Sequence, residues 1–418
     1  MTLLESKAVS LYVHIPFCQK KCDYCDFFSL PCGAGATAVP DSYIEALIRE
    51  ITFYARQYKI HAWKTVYIGG GTPSLLNVMQ LKRLMTGIWN VVGGKRGEIE
   101  VTMEMNPESV TEPLLDACAG HGISRISLGV QSFNDDALAA VHRTATGKSA
   151  LRALRLLSDR WKGEVSGDLI AGLPKESATS FKNGVEILAS FPVHHVSLYS
   201  LTVENGTPLA TARDSGAVTI DKGKIDRLWI SGRSLLEKSG LRQYEVSNFA
   251  RSDAYSMHNS AYWRLEPYIG CGAGATGSWY GEPNTDGSAG CGNGLRWSNT
   301  RDVAAYTDFW RGVAPDAETN ERTLDDAPRE TEVLDEKTQR FEYLMLGFRM
   351  LDGVSARAYQ RRFNVPLADA IGATNGAFTR WQERHLARII PERGGDDVCY
   401  ALNKRGLLLL NQFLKELL

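Results

Sequence analysis

Six short apolar runs alternate with amphipathic helical patterns in the first half of the chain, and this alternation restricts the possible folds most strongly. The runs read as strands at 10–17, 63–70, 98–106, 123–131, 164–173 and 194–203. The helical patterns lie at 41–58, 74–92, 134–144, 147–161 and 177–191, with Asp41 and Asn134 where N-caps belong. Strands separated by helices form βαβ units, and right-handed crossovers curl their parallel sheet. The pattern therefore predicts an α/β open barrel with ligands at the C-terminal strand ends.

The rest of the chain differs in composition from this alternating part. A helical pattern at 221–240 and a strand-like segment ending at residue 251 close the predicted barrel domain, residues 1–250. Residues 251–325 are rich in Gly, Ser and Asn and predict a linker and loop region, with a mobile glycine-rich insertion at 282–294. Residues 326–418 predict a smaller, mainly helical domain that ends in a winged-helix-like strand, turn and helix.

Charge and hydropathy exclude several classes of partner. The chain has 47 basic and 48 acidic residues, so it lacks the electrostatic footprint of a nucleic-acid or anionic-membrane binder. No apolar run approaches the roughly 20 residues that span a bilayer. The first strand begins about ten residues into the chain, which leaves no room for a signal peptide. We therefore expect a cytoplasmic protein with no nucleic-acid partner and no integral membrane segment.

Three cysteines, Cys18, Cys22 and Cys25, follow the first predicted strand on one short loop. Iron–sulfur clusters are usually held by cysteine thiolates, commonly four of them. With three, one iron would stay open for a small-molecule ligand, much as catalytic zinc sites keep an open position. The alternative is a zinc site with His14 as fourth ligand, although His14 lies inside the predicted strand.

Polar and glycine residues mark the C-terminal ends of the other predicted strands. The glycines of the turn at 69–72 would let the backbone approach a ligand, and the helix N-terminus that follows would favour an anion. The alternative is a tight turn that binds no ligand. Glu104, Gln131, Arg143 and Asp168 are single polar residues that are more often structural when each is taken alone. Together they offer carboxylates for amine and hydroxyl groups and a guanidinium for a carboxylate.

The run His258, Asn259, Ser260, Ala261, Tyr262, Trp263 places a histidine, an amide and two aromatics in a predicted polar loop. Imidazole is a common haem-iron ligand, and aromatic rings can stack on a flat macrocycle. The alternative is a surface loop held by Tyr262 and Trp263 in the core, with His258 in solvent. Physical reasoning alone favours this second interpretation.

Taken together, these segments resemble the coproporphyrinogen oxidase-like branch of the radical S-adenosylmethionine (SAM) superfamily. The matching stretches run almost throughout the chain: YVHIPFCQKKCDYCDF, IGGGTPSLL, TMEMNP, RISLGVQSFND, SGDLIAGLP, YEVSNFAR and HNSAYW. The resemblance implies a partial (β/α)6 TIM-like barrel, a 4Fe-4S cluster on the three cysteines and SAM on the open iron. It implies contacts with the cluster-bound SAM at Tyr12, Gly70 and Glu104. Tyr24, Gly71, Thr72, Gln131, Arg143 and Asp168 match the positions that hold a second SAM in the oxidase, a site that a chaperone need not use.

Two features separate the members of this branch. The oxidases carry another cysteine two residues after the third and a longer N-terminal segment, whereas this chain has Phe27 there and seventeen residues before Cys18. The HNxxYW pattern is similar to that of the HemW-type haem chaperones, in which the histidine is implicated in haem binding. This implies a haem motif of His258, Asn259, Tyr262 and Trp263.

The resemblance therefore favours a haem chaperone over an enzyme. Such a protein would bind haem as cargo and pass it to an acceptor protein of unknown identity, as a monomer or a cluster-dependent dimer. The alternative is an oxygen-independent coproporphyrinogen III oxidase, which would perform a radical SAM oxidative decarboxylation. The insertion at 282–294 departs from the family pattern, and it would either alter docking of haem or acceptor or be a neutral surface loop.

Overall fold

The six predicted strands form the parallel centre of one large sheet. The computed structural model describes residues 7–32, 39–94, 98–252, 254–282, 290–313, 326–373, 376–392 and 397–417. The central strands are β1 (Lys7–Ile15), β2 (Ile60–Gly70), β3 (Glu100–Met105), β4 (Arg125–Gln131), β5 (Glu164–Ala171) and β6 (His195–Ser200). They pair in parallel in chain order, so all six C-terminal ends meet at one rim. The expected α/β architecture is confirmed.

Helices between these strands cover the outside of the sheet. They are α1 (Asp41–Gln57), α2 (Val78–Asn90), α3 (Glu112–Gly120), α4 (Asp135–Ala140), α5 (Gly147–Arg160) and α6 (Ala178–Ser190). Asn134 caps α4 as predicted, whereas Asp41 is the first helical residue of α1 and Pro40 occupies its N-cap. Capping boxes begin α2, α5 and α6 at Asn77, Thr146 and Ser177. These local signals fix where each helix starts.

The sheet continues beyond the six central strands on both sides. After α7 (Pro208–Asp214) and α8 (Lys222–Lys238), β7 (Arg242–Gln243) and β8 (Asn248–Ala250) extend it past β6. Beyond β1 lie β9 (Tyr268–Cys271), which is parallel to β1, then antiparallel β10 (Thr276–Trp279), β11 (Gly294–Asn299) and β12 (Arg329–Leu334). The order is β12-β11-β10-β9-β1-β2-β3-β4-β5-β6-β8-β7. Two helices, α9 (Met257–Trp263) and α10 (Val303–Arg311), accompany this extension.

The region at 251–325 therefore differs from the predicted linker and loops. Its glycines permit close strand contacts: a Cβ on Gly270 would lie 1.9 Å from the Thr276 carbonyl oxygen, and one on Gly277 would lie 2.2 Å from Trp297 Cζ2. Of the predicted insertion, residues 283–289 lie outside the described residues. Within the insertion, the described residues Glu282 and Gly292 are joined by a hydrogen bond, since the Gly292 amide donates to the Glu282 carbonyl at 2.9 Å.

The C-terminal part has its own apolar core. Its helices are α11 (Glu336–Gly347), α12 (Ala356–Phe363), α13 (Leu367–Ala370), α14 (Ala377–Glu383), α15 (Lys404–Leu407) and α16 (Leu410–Leu417). A small antiparallel sheet joins β13 (Val354–Ser355), β14 (Ala387–Pro391) and β15 (Val398–Leu402). Phe348, Phe378, Trp381 and Phe413 are fully buried between them. The mainly helical C-terminal part agrees with the prediction. None of the helices in the described ranges has the length and apolar character needed to span a bilayer.

Candidate functional site

The three cysteines lie on a loop at the C-terminal rim, called here the cysteine loop (residues 18–25). A two-residue parallel pairing of Phe17–Cys18 with Leu30–Pro31 closes its base. Cys18 is buried, Cys22 and Cys25 are half-buried, and all are free thiols. The Cys25 amide donates to the Cys22 carbonyl at 3.1 Å, which folds the loop into a turn. The short spacing in the sequence therefore brings three thiols to one rim.

A cavity of about 370 Å³, called here the cysteine cavity, opens beside this loop and is lined by residues from β2 to β6. Its volume is within the range of ligand-binding pockets. The following predicted site residues line it: Cys18, Cys22, Cys25, Tyr24, Gly70, Gly71, Thr72, Glu104, Gln131, Arg143, Asp168 and Asn259. Tyr12, His258, Tyr262 and Trp263 are not among its described lining residues. The structure thus brings most of the predicted residues together, but separates most of the haem motif from the cysteines.

The turn at residues 69–72 packs against the chain segment that leads into the cysteine loop. Gly70 has a φ of 114°, and a Cβ there would lie 2.6 Å from the His14 ring. The amides of Gly71 and Thr72 donate to the carbonyls of Ile15 and Phe17 at 2.9 and 2.8 Å. The glycines are therefore needed for close approach of two chain segments. The amides of Gly71 and Thr72 hold the end of β1 and the residue before the cysteine loop, so they are not free to form an anion cradle.

Two carboxyl groups face the cysteine cavity from neighbouring strands. Glu104 accepts hydrogen bonds from the Tyr67 hydroxyl at 2.7 Å and from the Gly70 amide at 3.1 Å. Burial raises its pKa to about 7 because it disfavours the charged form. Asp168 accepts from the Ser127 hydroxyl through Oδ2 at 3.1 Å, and burial raises its pKa as well. Its shielded Oδ1 has no partner among the described residues, so a ligand hydroxyl or amine can donate to it.

Arg143 supplies the positive charge beside the cysteine loop. Its Nη1 lies 3.6 Å from Cys22 Sγ and 3.3 Å from the Tyr24 hydroxyl, and its Nη2 donates to Asn106 Oδ1 at 3.1 Å. Its buried Nε has no partner in the part of the chain that the structure describes. The adjacent Gln131 has a φ of 65° at the end of β4, a left-handed conformation that is uncommon outside glycine. The site therefore combines a fixed cation with a strained backbone position.

His14 is occupied elsewhere, which counts against the zinc alternative. Its Nε2 lies 2.9 Å from the Phe28 carbonyl oxygen, and since a carbonyl only accepts, Nε2 carries the proton. Its Nδ1 then accepts from the Tyr12 hydroxyl at 2.9 Å. Burial lowers the His14 pKa to about 4. Zinc would have to replace one of these two hydrogen bonds.

The donor set instead fits a cluster with an amino-acid-like ligand. Within the described ranges, no three His, Cys, Asp or Glu side chains are placed to hold a single metal ion. A cubane cluster does not require that convergence, because each thiolate binds a different iron. The carboxyl of Glu104 and the free oxygen of Asp168 suit an amine and hydroxyls, and the unpartnered Nε of Arg143 suits a carboxylate.

The haem motif forms helix α9, not a polar loop, and His258 is fully buried beside the middle of β2. Its Nδ1 hydrogen-bonds Thr65 Oγ1 and its Nε2 the Tyr262 hydroxyl, both at 2.7 Å. Burial lowers its pKa to about 3. The Glu100 carboxylate accepts from the backbone amides of Met257 and His258 at 2.8 and 3.0 Å, and so caps the helix.

The other motif residues point in two directions from α9. Asn259 lines the floor of the cysteine cavity. Trp263 lies under the guanidinium of Arg349 from the C-terminal part, with 4.3 Å between the Arg349 Cζ and the ring centroid. The motif therefore connects the cavity floor with the C-terminal helices.

Sequence reasoning missed several cavity residues. Tyr67, Thr102, Ser127, Ser166, His195 and Ser197 also line the cysteine cavity. Alternate positions along β4 are occupied by Ser127, Gly129 and Gln131, and alternate positions along β5 by Ser166 and Asp168. Alternate positions on a strand share a face. The sequence could therefore have identified Ser127 and Ser166 by counting back two residues at a time from Gln131 and Asp168.

Comparison with known families assigns the chain to a class. Residues 12–186 match the Radical SAM superfamily, and residues 334–386 match the HemN C-terminal domain. The chain has the fold of the solved coproporphyrinogen III oxidase (HemN) from Escherichia coli, with a TM-score of 0.76 over 99% of this chain and 90% of that chain at 19% identity. These matches define a radical SAM protein with a HemN-like architecture, and this family implies a 4Fe-4S cluster and SAM.

Sequence relatives narrow the class to one branch. The haem chaperone HemW from Lactococcus lactis is 33% identical over 85% of this chain and 86% of that protein. The haem chaperone HemW from Bacillus subtilis is 30% identical over 85% of this chain and 86% of that protein. The chain belongs to the HemW branch of the radical SAM superfamily, which confirms the resemblance found in the motifs.

Proposed function

We propose that this protein is a haem chaperone that binds haem and transfers it to an acceptor protein. The observation that carries the proposal is Phe27, which stands where the oxidases carry a further cysteine. Its side chain is 71% exposed at the edge of the cysteine cavity and cannot ligate iron. The HemW relatives named as haem chaperones support the same function.

In this proposal the cysteine cavity holds the cofactors. Cys18, Cys22 and Cys25 would bind the cluster, and Arg143 would offset the charge of its thiolates. Glu104 would accept from the SAM amine at the open iron. When bound there, a cluster with SAM would supply one-electron chemistry.

Several assigned roles remain predictions. Gly70 would contact the cluster-bound SAM. The second SAM site would comprise Tyr24, Gly71, Thr72, Gln131, Arg143 and Asp168. Tyr12 would act through His14, to which its hydroxyl is hydrogen-bonded, because it lies outside the described cavity lining.

His258 as a haem ligand also stays a prediction. Coordination by its Nε2 would break the hydrogen bond with Tyr262, and coordination by Nδ1 would break the one with Thr65. Haem would in addition need access to a side chain that is fully buried. Ligation through His258 therefore requires α9 to move.

Two assays on the anaerobically purified protein with an intact cluster separate chaperone from oxidase. A chaperone should bind one haem per chain, seen as a Soret band, and transfer it to an apoprotein acceptor such as apomyoglobin. It should not convert coproporphyrinogen III to protoporphyrinogen IX when SAM and reductant are present. Decarboxylation would refute the proposal in favour of the oxidase, and absence of haem binding would refute it outright.

Oligomeric state and location complete the proposal. We expect a monomer or a cluster-dependent dimer in the cytoplasm. Size-exclusion chromatography of protein with and without the cluster distinguishes the two states, because only a cluster-dependent dimer should dissociate when the iron is removed.

A further inference from the structure

A second cavity, of about 480 Å³, lies at the opposite end of β1 from the cysteines and is called here the arginine groove. Val9, Trp279 and Tyr280 line it from the sheet, and Arg361 and Arg362 line it from α12. It therefore lies between the sheet and the C-terminal helices. Along an extended strand, Val9 and Cys18 are separated by roughly 30 Å, so the groove is distinct from the cysteine cavity.

Arg362 is a cation whose hydrogen bonds are incomplete. Its Nη1 donates to the Leu265 carbonyl at 3.3 Å, whereas its shielded Nε and Nη2 have no partner among the described residues. Its Cζ lies 5.2, 6.0 and 5.6 Å from the ring centroids of Tyr280, Tyr343 and Phe363. Burial lowers its pKa. A largely buried guanidinium with two unmade hydrogen bonds is costly, and a bound anion would satisfy it.

The remaining lining of the groove suits a flat molecule that carries carboxylates. Arg361 is exposed and adds a second guanidinium to the same wall. Trp279 is half-buried and supplies aromatic surface, whereas Val9 and Tyr280 are buried at the base of the groove. Glu282 is the acidic residue among the described lining residues, so the two arginines outweigh it. Guanidinium groups bind carboxylates in paired hydrogen bonds.

We propose that the arginine groove binds the propionate edge of haem, with Arg361 and Arg362 pairing with its two carboxylates and the macrocycle against Trp279. This inference rests on the proposed function, since it takes haem as the cargo. Haem combines an apolar disc with two carboxylates on one edge, which is the chemistry that this lining complements. The groove volume lies within the range of small-molecule sites.

The test is a titration of the anaerobic, cluster-containing protein with ferric haem, followed by Soret absorbance and tryptophan fluorescence. Arg361→Gln and Arg362→Gln should each weaken haem binding about tenfold, since each removes a charge-assisted hydrogen bond. Arg357→Gln is the matched control, because it removes an exposed arginine from the same helix outside the described groove lining. It should bind haem as the wild type does.

A second ligand makes the test independent of folding. Haem dimethyl ester lacks the two carboxylates, so the wild type should bind it at least about tenfold more weakly than haem. The Arg361→Gln variant should discriminate less between haem and its ester. Equal binding of haem and ester by the wild type, or wild-type haem affinity in both arginine variants, would overturn the groove assignment and leave the chaperone function standing. Failure of the wild type to bind haem at all would refute the chaperone function as well.

Discussion

Replacement of His258 by alanine should lower the stability of the protein by an amount that depends on pH. The variant loses hydrogen bonds to Thr65 and Tyr262, worth about 1 kcal/mol each in net stability. It also loses the packing of the imidazole on Tyr67, whose ring centroid lies 5.0 Å away, for about 1–2 kcal/mol more. We therefore expect a loss of about 3–4 kcal/mol at neutral pH.

The pH dependence follows from the lowered pKa of His258. Burial shifts it from 6.5 to about 3, so the folded chain keeps the ring neutral while the unfolded chain takes up a proton below pH 6.5. The stability that the neutral His258 ring contributes to the folded chain is therefore fully present above pH 6.5 and is lost as the pH falls toward 3. At one pH unit below 6.5, the free energy of unfolding has fallen by about 1.4 kcal/mol through this group. The stability difference between wild type and His258→Ala should shrink by that amount at about pH 5.5.

Urea unfolding under anaerobic conditions, followed by near-UV circular dichroism, measures this difference at neutral pH and at about pH 5.5. His61→Ala is the control, because His61 is exposed on the same strand as Thr65. Its difference from the wild type should be small at both pH values. A His258 difference that is below about 1 kcal/mol, or that stays constant with pH, would refute the structural role assigned to this histidine.

Cys22, Glu50 and Arg349 each give a shorter test. Cys22→Ser should abolish the brown iron–sulfur absorbance of anaerobically purified protein, whereas Cys32→Ser should keep it, because Cys32 lies outside the described cavity lining; equal spectra in both variants would contradict the cluster assignment. Burial raises the pKa of Glu50 from 4.5 to about 7, so its stabilising contribution falls as pH rises across that window. The urea midpoint of Glu50→Gln relative to wild type should rise between about pH 5 and pH 8, and a constant difference would contradict this. Arg349→Met leaves fully buried Glu245 without the partner now 3.2 Å away and should cost about 3 kcal/mol in urea unfolding; a loss below about 1 kcal/mol would contradict it.

The central parallel sheet could be predicted from sequence because its signals are local. Apolar runs such as 63–70 are strands buried in the sheet, and Asn134 caps the helix that follows it. The polar residues at strand ends converge on one rim because parallel strands share a direction. Cys18 and Glu104 are therefore brought to one cavity, as their positions in the pattern indicated.

The extension of the sheet could not be predicted in the same way. Gly270 and Gly277 suggested loops, although their lack of a side chain is required by contacts with Thr276 and Trp297 that are visible only in three dimensions. Long-range pairing decides such strands, and composition does not record it. Similarly, the start of the helix at His258 is capped by the Ser256 side chain and also by the carboxylate of Glu100, a residue far away in the chain. Nothing local in the run predicted that distant cap.

Helix α9 makes two contacts that belong to different parts of the molecule, and this affects how the effects of mutations combine. One helix of seven residues supplies Asn259 to the cavity floor and Trp263 to Arg349 of the C-terminal part. A substitution at His258 or Trp263 changes how the whole helix sits, so the energetic effects of the two should not add. The coupling between the two positions would then appear as a difference between the stability loss of the double variant and the sum of the two single losses.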